Sequence, residues 1–68
     1  MSKYCDDPFL VDVIKVTDNA AFLNFIYDDE QHWIPFSQIE DNGESLEEGE
    51  EDVEVYLTEW IAKTKGLY

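Results

Sequence analysis

Carboxylates dominate the side chains of this chain that could do chemistry. There are 17 Asp and Glu against four Lys, with one histidine, His32, and one cysteine, Cys5. One His and one distant Cys cannot assemble a structural zinc site, which takes four such ligands. Serine nucleophile chemistry needs a base and an orienting carboxylate brought to the serine. Ser2, Ser37 and Ser45 stand in polar or turn contexts with a single His to share, so no triad is expected. The acids themselves invite a calcium reading, and the EF-hand loop tests it. That loop wants acids at positions 1, 3, 5 and 12 with glycine at 6. Centring on Gly43 puts Gln38 first, and centring on Gly49 puts Leu46 third, so both fail. Clustered carboxylates keep only a weak, unspecific attraction for divalent cations. No catalytic residue, metal or cofactor is expected.

What remains is charge offered to a partner. The formal net charge is −13 on 68 residues, well beyond the magnitude of about 2–8 that solubility asks of a small domain. Such self-repulsion destabilises the compact state. Nucleic acids and anionic membranes would be repelled, so the expected partner is a basic, nucleic-acid-binding protein. The densest run is the acidic segment 40–52, EDNGESLEEGEED, with Leu46 its one large apolar residue. It reads as a mobile loop. Asp28, Asp29, Glu30, Glu47, Glu48, Glu50, Glu51 and Glu54 are the expected partner-binding residues. Acids on one strand face would recur every about 6.8 Å, two base-pair rises of about 3.4 Å along one DNA strand. A rigid sheet could therefore hold them as an imitation phosphate track.

The elements that must position these acids follow from the apolar pattern. FLVDVIKVT (9–17) and AAFLNFIY (20–27) are rich in β-branched and aromatic residues. Asp18-Asn19 between them predicts a hairpin, because both types tolerate the positive φ of a tight two-residue turn. Phe9, Val11 and Val13 fall on one face and Leu10, Ile14 and Val16 on the other, so a curved sheet partly covered on both faces is expected. HWIPF (32–36) is a third strand, at an edge or ending at its proline. Val53, Val55 and Leu57 alternate with polar residues as a fourth. A short helix over 59–65 closes the chain, with Thr58 as N-cap and Gly66 as its left-handed terminator.

The expected fold is thus α+β: a single domain, residues 1–68, with a small curved antiparallel four-stranded sheet (β-β-β-loop-β-α) and one short C-terminal helix. A domain this small buries only about 60% of its unfolded surface. With 15% aromatic residues, Trp33 and Trp60 are read as core, joining helix to sheet. One cysteine permits no internal disulfide, which points to the reducing cytoplasm. The N-terminal run MSKYCDDP lacks the features of a secretory signal, and no stretch reaches the roughly 20 apolar residues of a membrane span.

Two segments carry a resemblance. Trp33-Ile34-Pro35-Phe36-Ser37-Gln38-Ile39 and Glu59-Trp60-Ile61-Ala62-Lys63-Thr64-Lys65-Gly66-Leu67 resemble the pattern W-I-P-x-S-Q-I followed by E-W-[LI]-A-x-x-K-G-L, found in small proteins of phages and mobile elements. The likeness spans roughly residues 8–68, departing at Phe36 and in the length and acidity of the loop. It carries no catalytic residue over. Small acidic phage proteins block host defence complexes by occupying their DNA-binding surfaces, and the chain is similar in strategy to the anti-CRISPR proteins among them. The resemblance implies a monomeric DNA mimic in the cytoplasm of a host bacterial cell, bound to a CRISPR effector. The alternatives are an accessory protein of a phage or mobile element that binds a replication or recombination factor, and a structural subunit whose acidity serves solubility.

Overall fold

Two hairpins and a returning strand form the sheet. The computed structural model describes residues 3–44 and 46–67. Its strands are β1 (Phe9–Val16), β2 (Ala20–Phe25), β3 (Glu30–Pro35) and β4 (Val53–Val55), followed by a helix, α1 (Glu59–Thr64). All neighbouring strands are antiparallel, in the order β3-β2-β1-β4. The fold is therefore α+β with one short C-terminal helix, as the apolar pattern predicts. Beyond β4, Leu57 bridges to Ile39, which follows β3, and Thr58 bridges to Tyr4. The chain after one edge strand is thereby tied to the chain after the other, and the core is shut between them.

The β1–β2 turn forms where expected but by different means. Neither Asp18 nor Asn19 takes a positive φ. The Thr17 amide donates to the Ala20 carbonyl at 2.8 Å, while the Ala20 amide donates to the Thr17 hydroxyl at 3.1 Å. A side-chain oxygen thus replaces the backbone acceptor of an ordinary two-residue hairpin.

A bulge in β1 changes which residues face the core. Val13 pairs with Leu23, but Lys15 pairs with Phe22, leaving Ile14 as an extra residue. One inserted residue flips the alternation. Val16, opposite buried Ala21, consequently packs against the core with Val11 and Val13 rather than beside Ile14.

Both tryptophans depart from the core reading. Trp60 is 63% exposed and Trp33 44% exposed. The core is aliphatic instead, built from Val11, Val13, Leu23, Ile34, Ile39, Leu57 and Ile61 around Phe25. Helix α1 holds on through buried Ile61 and Ala62, not Trp60. Its ends are well sealed. The Thr58 hydroxyl accepts from the Ile61 amide at 3.3 Å. Gly66 (φ 71°) turns the chain so that its own amide reaches the Lys63 carbonyl and the Leu67 amide reaches that of Ala62. That pair of bonds is the Schellman closure, and Leu67 adds the apolar contact that accompanies it.

Segment 40–52 is also not the free loop expected. A 3-10 turn, Glu40–Gly43, opens it, and Leu46 is buried in the core. Gly43, at φ 62°, has no room for a side chain, because a Cβ there would lie 2.8 Å from the Phe36 ring.

Candidate functional site

Acidic side chains largely avoid the strands. Asp12 in β1, Glu30 in β3 and Glu54 in β4 are the only acids within them. No strand therefore carries two carboxylates on one face, and the expected track at strand spacing is absent from every strand. Backbone geometry explains part of this placement. Asp29, Asp41 and Asp52 adopt left-handed φ of 53°, 58° and 54°, which short polar side chains accept more readily than others.

A row of acids forms instead by docking of the segment before β4 onto β1. Glu54 pairs with Leu10. The Asp52 amide donates to Asp12 Oδ1 at 3.1 Å. The Val13 amide donates to the Glu50 carbonyl at 2.7 Å, and the Gly49 amide to the Val13 carbonyl at 2.8 Å. The Val16 amide donates to Glu48 Oε1 at 3.1 Å. Residues 48, 50, 52 and 54 thus lie beside β1 from Val16 to Leu10, a run of about 20 Å at about 3.3 Å per residue. Two of these carboxylates are spent on the backbone, since Glu50 Oε1 also accepts from the Glu47 amide at 2.8 Å. Glu47, Glu51 and Glu54 are exposed.

The other expected contacts lie across β1. Asp28 and Asp29 occupy the β2–β3 connection, where their amides close on the Phe25 carbonyl, and Glu30 opens β3. That connection adjoins the start of β1 on its β2 side, because the Ile26 amide donates to the Leu10 carbonyl. The eight residues therefore divide into five along the β4 side of β1 and three at the end of the β2–β3 hairpin.

Cys5 offers little nucleophilic chemistry, and His32 is half-buried. His32 Nε2 is buried without a hydrogen-bond partner, 3.8 Å from Glu30 Oε2, and its ring lies 5.7 Å from that of Phe25. Burial, reinforced by the Glu59 and Asp6 carboxylates, pushes the Cys5 thiol above its ordinary value. A thiol so held is a poor nucleophile near neutrality. Ser37 is exposed on the 3-10 turn after β3. Ser2 and Ser45 lie outside the described residues. Among the described residues no three His, Cys, Asp or Glu side chains converge on a point that could hold a metal ion. No described helix is long and apolar enough to cross a membrane.

No protein-family model, curated protein or solved structure matches the chain. Residues 33–39 and 59–67 meet in space. Thr58, just before the second segment, bonds to Gln38 of the first through both backbone and side chain. Ile34, Ile39 and Ile61 share the core. The buried residues of both segments are therefore scaffold. Trp33 and Trp60 are the exposed large hydrophobic residues of these segments. Sequence reasoning placed both inside, yet a signal existed. Ile34 must face the core, so strand alternation puts its neighbour Trp33 on the outer face.

Proposed function

We propose that the chain is an anti-CRISPR-like inhibitor, an acidic domain that docks on a basic DNA-binding surface of a host CRISPR effector in the cytoplasm and excludes duplex DNA. The observation that carries this reading is charge density. The domain measures 31 × 24 × 17 Å, and a duplex 31 Å long carries about 18 phosphate charges at one per about 1.7 Å. The chain has 17 carboxylates, and all but Asp12 and Glu50 are exposed. A surface of Lys and Arg that neutralises phosphates would find a comparable number of anions here. Such an inhibitor needs no catalytic group, because occupying the channel suffices.

The pinning of segment 47–54 onto β1 supports the same reading. A preorganised array avoids the ordering cost that a flexible acidic tail would incur on binding. The test is a DNA-binding assay on a purified DNA-targeting CRISPR complex with rising amounts of this protein. Mutual exclusion, reversed by excess DNA, is expected. Simultaneous binding of both ligands would reject mimicry in favour of an accessory role.

A further inference from the structure

The outer face of the sheet carries an aromatic pair that the acidic reading does not use. Phe22 and Trp33 oppose one another across β2 and β3, their rings 4.9 Å apart and tilted by 32°. Trp33 is 44% exposed, and Ile14, extruded by the bulge in β1, is 41% exposed on the same sheet. The pair lies between two acidic turns. Asp18 sits in the β1–β2 turn, whose Asn19 carbonyl accepts from the Phe36 amide at the end of β3. Asp28 and Asp29 sit at the other end of the β2–β3 hairpin.

What covers this face is limited by charge. A second copy would bring another −13 against the first, and desolvating that many like charges opposes self-association. A neutral apolar partner would leave the acids at both turns and Glu54 without counterions. The complementary surface is cationic and flat enough to lie on an indole. Arginine meets both demands, since its guanidinium stacks on aromatic faces and is less strongly hydrated than an ammonium. Lys15, opposite Phe22 on β1, is the one lysine within the strands, and it lies on the far side of Phe22 from Trp33.

We propose that the Phe22–Trp33 pair is the arginine-reading element of the interface, stacking a guanidinium of a basic protein partner while the surrounding carboxylates supply the charge. This rests on the acidic-surface reading above and adds to it a side-chain preference, Arg over Lys, that charge alone does not impose.

The probes are nona-arginine and nona-lysine peptides at one fixed ionic strength, titrated into the full chain. Binding of nona-arginine should shift the Trp33 indole N–H resonance more than that of Trp60. Trp33→Ala should weaken nona-arginine by about 2- to 5-fold, the range of an exposed cation–π contact, and leave nona-lysine unchanged. Trp60→Ala should change neither. Retained amide dispersion would show that Trp33→Ala is folded, and the wild-type resonance shifts decide the matter if it is not. If Trp33 does not shift, or if Trp60→Ala abolishes the arginine preference, the assignment is overturned. If neither peptide binds at all, the acidic-surface reading itself fails first.

Discussion

Thr58 holds Gln38 twice: its amide donates to the Gln38 carbonyl at 3.0 Å, and its hydroxyl donates to Gln38 Oε1 at 2.6 Å. The same hydroxyl oxygen accepts from the Ile61 amide to start α1. One buried side chain thus couples the turn after β3 to the helix. Thr58→Ala removes the cap and leaves the Ile61 amide and Gln38 Oε1 without that partner. It should lower stability by about 1–2 kcal/mol. Thr58→Ser keeps the hydroxyl and should recover most of the loss. Urea midpoints of the two variants decide this, and equal midpoints would mean that the hydroxyl is not the coupling element.

The exposed position of Trp60 makes a second prediction, opposite in sense to the one its size invites. Trp60→Ala should cost less than about 1 kcal/mol, as for a surface substitution that removes modest area. Ile61→Ala, one residue on, should cost about 2–5 kcal/mol because it opens a cavity in the core. Thermal melts of the pair provide the check. A larger loss at Trp60 than at Ile61 would show that the helix packs through its other face.

Segment 46–50 should be protected from amide exchange. Leu46 is buried, the Val13 amide donates to the Glu50 carbonyl and the Val13 carbonyl accepts from the Gly49 amide, and Glu48 reaches the Val16 amide. Slow exchange at the Val13 and Gly49 amides is the expected result. Glu48→Ala should speed exchange at Val16 specifically. Exchange as fast as in an unfolded peptide across all of these amides would mean that the acids are not held in a fixed row.

Element types were legible in the sequence because they rest on local pattern. β-Branched residues marked β1, aromatic residues marked β2, and Thr58 and Gly66 marked both ends of α1. What escaped depends on contacts distant in sequence. Nothing local distinguishes Ile14 as a bulged residue, since its extrusion follows from the register of Val13 and Lys15 against β2. Segment 40–52 looks like solvated charge until Leu46 is given a place in the core, and a single apolar residue among acids is a weak cue. The acids at 48, 50, 52 and 54 do show a period of two. Read as a strand signal, that spacing would have extended the β1 edge to Glu48. The outward turn of Trp33 was also readable, but the expectation that a small core needs its largest side chains outweighed the alternation with Ile34.

The division of the acids into two groups yields the last prediction. If the five acids along the β4 side of β1 are the principal phosphate substitute, reversing exposed members of that group should matter most. Glu47→Lys with Glu51→Lys changes two side chains that face solvent and spares Glu48 and Glu50, whose carboxylates accept backbone hydrogen bonds. On the proposed function, that double variant should weaken binding to a DNA-targeting CRISPR complex by at least about 100-fold, since each reversal removes one attraction and adds a repulsion of order 1–2 kcal/mol or more. It should also flatten the dependence of affinity on salt, because fewer charge pairs remain to be screened. Asp28→Lys with Glu30→Lys, at the far side of β1, alters net charge equally and should weaken binding less. Reversal also relieves self-repulsion, so both variants should melt no lower than the parent. Equal losses from the two pairs would show that only total charge matters and that the β4 side of β1 has no special standing. A greater loss from the Asp28 and Glu30 pair would move the principal contact to the end of the β2–β3 hairpin.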